Sequence, residues 1–271
     1  MQSWLIVSGG LGFMFVMSSV GAATVFFFGK DVPPRIQQVA FGFAAGIMLA
    51  AAIWSLLLPA IEAADEMGMI EWMPIAGGFA LGVLFLLLVD NLIPHLHPFS
   101  DVGEGAVSMY RSTTLLVSAI TMHNILEGFA VGLAMAIASQ YGGGIETYSG
   151  ALAMAVGIGI HNLPKSAAVA LALRKEWASS FRAFFIAAMT GVAELLFAVL
   201  AVLLALRLGH AMPWLMAFVA GAMMYVVIEE LIPHAHAHKH VNETRRSNVG
   251  TIGAMAGFLL MMVLDMTIHH G

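Results

Sequence analysis

The sequence predicts an all-α integral membrane protein with eight transmembrane helices. Hydrophobic residues make up 60% of the 271-residue chain and charged residues only 10%, and the mean hydropathy is +0.91. Soluble domains carry roughly 25% charged residues. The apolar stretches are long and continuous, whereas the strands of a membrane barrel alternate with a period of two over about ten residues. A helical bundle that crosses the bilayer many times is therefore predicted.

Eight apolar segments each approach the roughly 20 residues that a bilayer-spanning helix needs. We predict one transmembrane domain, residues 1–271, with spans at about 4–28, 36–61, 72–89, 112–139, 148–173, 181–206, 212–232 and 249–268. Residues 1–29 are too long for a signal peptide and lack a basic start, so we expect a retained span. Cysteine is absent, which excludes thiolate metal ligands, and the net charge of −5 argues against a nucleic-acid partner.

Basic residues are concentrated in the loops after the odd-numbered spans. Of the 11 Lys and Arg residues, these loops hold Lys30, Arg35, Arg111, Arg174, Lys175, Arg182, Lys239, Arg245 and Arg246. The loops after the even-numbered spans hold only Arg207. By the positive-inside rule the odd loops are cytoplasmic and both termini are extracytoplasmic. We therefore expect a multi-pass protein of the cell (plasma or inner) membrane.

Small residues recur in the spans at spacings that allow close helix packing. Gly42 and Gly46 are four residues apart, as are other glycine pairs in the third and eighth spans, and Gly9 and Gly12 lie in the first. Such spacing lets two membrane helices approach closely. We expect these glycines to pack.

The fourth and fifth spans share a polar motif in the middle of an apolar run. His123-Asn124 and His161-Asn162 open the two motifs, and apolar residues match at the same offset further along. Because consecutive spans run in opposite directions, the repeat is inverted. Many secondary transporters bind their substrate where inverted repeats meet near the bilayer midplane.

The polar side chains of this repeat are candidate metal ligands. They comprise His123, Asn124, Glu127, His161 and Asn162. Glu127 lies one turn after His123 and therefore shares its helix face. Imidazole and oxygen ligands suit zinc, iron, manganese, nickel or cobalt as divalent ions. Each His or Asn alone is equally compatible with an interhelical hydrogen bond, but the matched repeat favours a metal site.

The chain resembles the ZIP (Zrt/Irt-like) divalent metal transporters, most closely the prokaryotic branch with the GufA-type proteins. The resemblance covers essentially the whole chain. It rests on His123-Asn-Ile-Leu-Glu127-Gly128, His161-Asn-Leu-Pro164, Gly46-Ile-Met48-Leu, Ser55-Leu-Leu-Leu-Pro59-Ala-Ile-Glu62 and Gly191-Val-Ala-Glu194. It implies eight helices in a 3+2+3 arrangement and often a homodimer. It further implies transport into the cytoplasm of zinc, or alternatively of iron, manganese, cadmium, nickel or cobalt. It also implies a metal site between the fourth and fifth spans, to which Met48 and Glu194 contribute.

Lys165 departs from the family pattern, which usually has a carboxylate at this position of the fifth span. In relatives with two adjacent metal positions, that carboxylate helps to bridge them. A lysine instead brings a cation that can pair with Glu127 or Glu194. We therefore expect one strong metal position, most suited to Zn²⁺, although the departure also fits a changed substrate or a weakened transporter.

Charged groups at the two ends of the bundle are candidates for the entrance and exit of a metal. On the outer side, the loop after the second span carries Glu62, Asp65, Glu66 and Glu71, which either concentrate cations or form an ordinary solvated loop. On the inner side, the candidates are Asp90, His95, Glu229, Glu230, His234 and His236. Alternating histidines from His234 onward would line one side of an extended loop, as a metal-receiving segment or a polar linker.

Two other functions compete with transport. An intramembrane metal-dependent hydrolase would need a metal-bound water and a general acid or base, but no H-E-x-x-H motif is present. A relative that senses metal without transporting it would keep Lys165 paired with Glu127 permanently. We expect a transporter rather than an enzyme, with no cofactor besides the transported ion.

Overall fold

The structure is a computed structural model that describes residues 2–27, 33–92, 112–140, 148–177, 179–205, 207–236 and 248–269. Every regular element in these ranges is helical. Eight segments are long and apolar enough to cross a membrane, and we number them spans 1 to 8. They are Leu5–Phe26, Arg35–Glu66, Trp72–Asn91, Ile120–Ser139, Ser149–Arg174, Ser180–Ala205, Gly209–His236 and Val249–Thr267. The predicted all-α bundle of eight spans is confirmed.

Six spans consist of one main helix each, and spans 2 and 7 are composite. The single helices are α1 (Gln2–Ala23), α4 (Trp72–Leu92), α5 (Ser112–Gln140), α6 (Ser149–Trp177), α7 (Ser180–Ala205) and α10 (Val249–His269). Span 2 comprises α2 (Pro34–Ala51), a π-helical turn (Ala52–Leu57) and α3 (Leu58–Glu66). Span 7 comprises α8 (Met212–Val226), a π-helical turn (Val227–Leu231) and α9 (Ile232–His236).

The two π-helical turns occupy matching places in spans 2 and 7. Each is followed two residues later by a proline, Pro59 and Pro233. Proline has no backbone N–H and disturbs the regular hydrogen-bond ladder of the preceding turn. Short π-helical insertions occur frequently at functional sites. The shared feature therefore relates span 2 to span 7 across the inverted repeat.

The packing of the helices also relates the first three spans to the last three. The most extensive contacts pair span 1 with span 5, span 4 with span 6, span 2 with span 8 and span 3 with span 7. Exchanging spans 1–3 with spans 6–8, and span 4 with span 5, reproduces this set of pairs. This is the pattern expected of the 3+2+3 inverted repeat. Spans 4, 5 and 6 meet around the polar residues singled out in the sequence.

Glycines line the tightest of these interfaces. A Cβ atom at Gly42 or Gly46 of span 2 would collide with a backbone carbonyl oxygen of span 8, and one at Gly128 of span 4 would collide with that of Glu194. Glycine therefore permits the close backbone approach that favours helix association in a membrane. Gly9 and Gly12 differ, since an added Cβ would meet nothing within 4 Å. The prediction that these two glycines pack is wrong, because their faces of α1 are not against another helix.

The structure corrects the predicted loop after span 2. Helix α3 continues to Glu66, so Glu62, Asp65 and Glu66 are helical, and only Glu71 lies in the connection. The helix ends in a Schellman motif, in which Gly68 N–H bonds to the Asp65 carbonyl at 2.8 Å and Met69 N–H to the Ala64 carbonyl at 2.9 Å. Gly68 has a φ of +66°, which glycine adopts without steric cost. The acidic residues therefore project from a helix end.

The extended arrangement predicted for the alternating histidines is wrong for His234 and His236. Both lie in α9, which continues span 7 beyond Pro233. Pro233 has no N–H to donate to the preceding π-helical turn, whereas the N–H of its neighbour Ile232 bonds to the Val227 carbonyl. His234 Nδ1 lies 2.6 Å from the Glu230 carbonyl and His236 Nδ1 lies 2.9 Å from that of Ile232. His238 and His240 lie outside the described residues.

Candidate functional site

A cluster of polar side chains is buried where spans 4, 5 and 6 meet. Its members are Asn124 and Glu127 of span 4, His161, Asn162 and Lys165 of span 5, and Glu194 of span 6, each exposed by 9% or less. Polar and ionisable groups at this depth are costly unless they pair or bind a ligand. The cluster contains most of the predicted metal ligands and places them on three neighbouring helices.

Glu127 is fully buried and has a different partner on each carboxylate oxygen. Its Oε2 accepts a hydrogen bond from the Lys165 ammonium, forming a buried ion pair. Its Oε1 lies 3.4 Å from His161 Nε2. The sequence left Glu127 and Glu194 open as partners of Lys165, and the structure places the ammonium on Glu127. Lys165 therefore occupies one oxygen of the central candidate ligand.

Glu194 is held by the side chain of Asn162. The Asn162 amide nitrogen lies 2.9 Å from each Glu194 carboxylate oxygen. This donation turns the Asn162 Oδ1 atom away from Glu194, and that oxygen has no hydrogen-bond partner in the described part of the chain. Asn162 therefore keeps its oxygen available as a ligand while it orients a carboxylate of span 6.

His123 joins the cluster to span 7. Its Nε2 atom lies 3.5 Å from Oε2 of Glu230, and Glu230 belongs to the π-helical turn of that span. His123 is 5% exposed, and Glu230 is half-buried. The predicted ligand of span 4 therefore contacts a residue predicted for the exit. This contact was missed by sequence reasoning, because the two residues are far apart in the chain.

Several buried polar atoms of the cluster have no hydrogen-bond partner among the described residues. They include both amide atoms of Asn124, Oδ1 of Asn162 and Nδ1 of His161. Such atoms are uncommon in proteins and call for a ligand, an ion or water. Amide oxygens and imidazole nitrogens are donors that borderline divalent metals accept. The cluster therefore has the chemistry of a cation site.

The carboxylates and imidazoles themselves do not form a preassembled metal site. Within the described residues, no group of three or more His, Asp or Glu side chains is close enough together to hold a metal ion. Lys165 holds Glu127, Asn162 holds Glu194, and Glu230 lies beside His123. Met48 is fully buried in the apolar core of α2. Metal binding at these residues would therefore require some of the present pairs to open.

A small cavity lies at the predicted outer end of spans 2 and 8. It has a volume of about 160 Å³, and its lining includes Ser55, Glu62 and Asp265. Ser55 belongs to the π-helical turn of span 2, and its hydroxyl has no hydrogen-bond partner in the described residues. Asp65 and Glu66 are exposed on α3 and do not line the cavity. Asp265 was missed, although a carboxylate within an apolar eighth span is itself a signal.

The residues predicted for the exit lie on spans 3 and 7. The Tyr225 hydroxyl donates a 2.5 Å hydrogen bond to Oδ2 of Asp90 and so connects the two spans. Glu229 and Glu230 lie in the π-helical turn of span 7. The His234 ring packs against Phe41, with ring centroids 4.9 Å apart. His95 lies outside the described residues.

Comparison with known proteins decides the family. The model of the family described as ZIP Zinc transporter matches residues 100–265. The chain belongs to the ZIP family. Among its relatives, the zinc transporter GufA of Myxococcus xanthus is 38% identical, over 79% of this chain and 80% of the relative. The zinc transporter ZIPB of Bordetella bronchiseptica is 33% identical, over 87% and 73%, and the human zinc transporter ZIP11 is 30% identical, over 94% and 95%.

Membership of the ZIP family confirms the resemblance drawn from the sequence motifs. It also confirms the prediction of a membrane transporter rather than an enzyme. The matched segment, residues 100–265, contains spans 4 to 7 and nearly all of span 8. The family motifs in spans 4, 5 and 6 therefore coincide with the buried polar cluster of this ZIP protein.

Proposed function

We propose that this ZIP protein transports a divalent transition metal, with Zn²⁺ as substrate, into the cytoplasm between spans 4 and 5. The observation that carries the proposal is the buried cluster around Glu127, in which amide oxygens and an imidazole nitrogen lack hydrogen-bond partners among the described residues. The names of the three relatives support zinc as the ion. The resemblance to the ZIP family implies the inward direction, and the excess of basic residues in the odd loops supports the orientation with both termini extracytoplasmic.

The ion would replace the Lys165 ammonium on Glu127. A divalent cation and an ammonium compete for the same carboxylate, because both are stabilised by its negative charge. Glu127, His161, Asn124 and Asn162 would bind the ion, and Glu194, Met48 and His123 would contribute as the present pairs open. A lysine retained near the site repels a second cation, and this repulsion is weakly screened in a bilayer. The site therefore holds one ion.

The proposed path begins at the outer cavity and ends at span 7. Glu62 and Asp265 would attract the ion, with Asp65 and Glu66 adding negative potential nearby. The contact between His123 and Glu230 offers the next carboxylate on the inner side, followed by Glu229 and Asp90. A homodimer in the cell membrane, with both termini extracytoplasmic, remains part of the proposal.

Replacement of single ligands tests the site. In vesicles with reconstituted protein, we expect Glu127→Gln and His123→Ala each to lower the rate of Zn²⁺ uptake at least about tenfold, equivalent to about 1.4 kcal/mol. Thr267→Ala is a suitable control, because Thr267 is exposed on span 8 and bonds only to its own helix. Normal uptake by both site variants would place the metal path elsewhere.

A second function, metal sensing without transport, is favoured by one observation. Glu127 is already paired with a lysine of the same chain, as a permanently closed site would require. Uptake separates the two functions, because a sensor binds Zn²⁺ and changes conformation without moving it across the vesicle membrane. An intramembrane hydrolase has no such support, since the matching family is described as zinc transporters.

A further inference from the structure

An apolar cavity separates spans 1, 2 and 5 on the side of the bundle where Arg35 lies. Its volume is about 280 Å³, just below the roughly 300–1,000 Å³ typical of ligand pockets. Ile36, Ala40 and Phe41 of span 2 form one wall, and Pro164, Ala168 and Leu171 of span 5 form another. Among the described residues that line it, none is Asp or Glu. An apolar occupant fits this space better than a hydrated metal ion does.

The cavity opens toward the lipid-facing surface of the bundle. A second, more open groove shares Ile36, Ala40 and Pro164 with it and adds Val39 and Arg35. Ile36 is 58% exposed and Val39 is 40% exposed, so the groove borders the space that lipid fills around a membrane protein. A continuous apolar passage therefore leads from the surface into the interior.

Cationic groups lie at the end of this passage that opens on the lipid-facing surface. Arg35 is exposed and lines the groove. Arg174 lies nearby in span 5, three residues after Leu171, and donates a 2.6 Å hydrogen bond to the Val25 carbonyl, next to the cavity residue Thr24. Arginine at a membrane surface attracts anionic lipid headgroups. An apolar passage with a cationic rim matches an acyl chain that carries an anionic head.

The end of the cavity that lies deeper in the helix bundle reaches the polar cluster around Glu127. His161 and Lys165 both contribute to its lining, and Lys165 holds Glu127 by its ammonium. The apolar stem of a lysine packs readily against apolar surface while its charged end changes partner. The apolar stem of Lys165 therefore borders this cavity, and its movement away from Glu127 requires space there. An occupant in this space would keep the ion pair closed.

We propose that the cavity between spans 1, 2 and 5 binds an acyl chain of an anionic phospholipid, with the headgroup at Arg35, and that this lipid slows metal transport by blocking the withdrawal of Lys165. The binding part depends only on the cavity and its rim. The effect on transport rests on the proposed function, because it requires the metal to displace Lys165 from Glu127.

Photolabelling without metal tests the binding part. The full-length protein in detergent is exposed to phosphatidylglycerol with a photoreactive acyl chain, and the labelled peptides are identified by mass spectrometry. We expect labels on the segments around Ala40 and Ala168, competed by unlabelled phosphatidylglycerol but not by phosphatidylcholine. Labels confined to other spans, or equal competition by both lipids, would overturn the proposal.

Variants that fill the cavity make the test specific. Ala40→Phe and Ala168→Leu introduce bulk from opposite walls, so they should each abolish labelling if folding is retained, as judged by thermal unfolding. Ala256→Phe is the matched control, because Ala256 is exposed on span 8 away from the cavity. If both filling variants fold and label like the unmodified protein, the acyl chain does not occupy this cavity.

The headgroup contact has its own pair of variants. Arg35→Gln should weaken competition by unlabelled phosphatidylglycerol about fivefold, the effect of one cation near an anionic surface. Arg207→Gln removes an exposed arginine from the connection between spans 6 and 7 and should leave competition unchanged. Equal effects of the two substitutions would show that Arg35 does not hold the headgroup.

Zn²⁺ uptake tests the effect on transport. In vesicles of phosphatidylcholine alone or with phosphatidylglycerol, the added lipid should slow uptake by the unmodified protein but not by Ala40→Phe. Equal slowing of both proteins would overturn the coupling. If neither protein takes up Zn²⁺ in either lipid, the proposed transport function fails, while the metal-free labelling still decides whether the lipid site exists.

Discussion

Lys165 stands where the resemblance to the ZIP family led us to expect a carboxylate. A charged amine within a membrane span has to be paired, and Glu127 on span 4 provides the partner. Removing one member of a buried ion pair leaves the other charge uncompensated and commonly costs about 3–5 kcal/mol in soluble proteins. A metal ion that replaces the ammonium keeps Glu127 neutralised, but the displaced Lys165 ammonium then has to find another partner.

Substitution of Lys165 should change the number of ions bound. Lys165→Glu restores the carboxylate of the family pattern, so we expect binding of two Zn²⁺ ions and slower release. Lys165→Ala removes the competing cation but adds no ligand, so one ion should bind, and more tightly than in the unmodified protein. Metal titration of the purified proteins measures both stoichiometry and affinity.

The unmodified protein is the reference for that titration. A single bound ion agrees with the proposed site. Two tightly bound ions would show that Lys165 leaves the site entirely and that the repulsion argument is wrong. Lys165→Leu provides a further control, since it removes the charge, keeps apolar bulk and adds no metal donor, and it should resemble Lys165→Ala in stoichiometry.

The sequence predicted the identities of the buried polar residues better than their pairings. A histidine, an asparagine and a carboxylate in an apolar run are recognisable because each is costly there. Whether Lys165 pairs with Glu127 or Glu194 depends on how far spans 4 and 6 lie from span 5, which the chain order does not specify. The contact between His123 and Glu230 likewise depends on the packing of span 7 against span 4.

At the level of single elements, apolar length predicted the spans but not the π-helical turns within spans 2 and 7. The composition of Ala52–Leu57 resembles that of an ordinary helix. The available signal was a proline in a corresponding position of each span, Pro59 and Pro233. The repeat between these spans therefore became evident only from backbone geometry, whereas that between spans 4 and 5 was visible in side chains.

Gly128 provides a test of the interface between spans 4 and 6. A Cβ atom there would collide with the Glu194 carbonyl, so Gly128→Ala forces the two helices apart. Overpacking of this kind typically costs about 1–3 kcal/mol. We expect a lower temperature of thermal unfolding in detergent and slower Zn²⁺ uptake, because Gly128 adjoins Glu127 in the chain.

Gly9→Ala is the matched control for that substitution. It adds the same methyl group to a helix of the same membrane protein, but in a place where nothing lies within 4 Å. We expect its unfolding temperature to be equal or slightly higher, since alanine favours a helix more than glycine does by about 1 kcal/mol. Similar losses in both variants would show that close packing at Gly128 is not the cause.

At the scale of the whole molecule, the distribution of charge predicts an orientation in the membrane that the helix coordinates alone do not reveal. Met67 follows span 2 and Asn248 precedes span 8, and both are exposed at predicted opposite sides. The chain has no cysteine, so Met67→Cys and Asn248→Cys each create a unique label site. In intact cells, an impermeant thiol reagent should label Met67→Cys alone. Labelling of Asn248→Cys alone would reverse the predicted orientation.

The acidic groups near the outer cavity should promote metal capture in two ways, by direct contact in the cavity and by a longer-range electrostatic field. Glu62 lines the cavity with Asp265, whereas Asp65, Glu66 and Glu71 are exposed and act through the field that they create in water. Fields between exposed charges are screened beyond about 8–10 Å at ionic strengths of 0.1–0.15 M. Neutralising these three residues together should therefore raise the apparent KM for Zn²⁺ at low ionic strength only.

Glu62→Gln should instead raise the KM at both low and high ionic strength, because it removes a carboxylate from the cavity wall itself. The maximal rate should change little in either variant, since neither alters the cluster around Glu127. Uptake measured against Zn²⁺ concentration at two salt concentrations separates the effects. An unchanged KM for the triple variant at low salt would show that Asp65, Glu66 and Glu71 form an ordinary solvated helix end, and the same result for Glu62→Gln would exclude the cavity from the metal path.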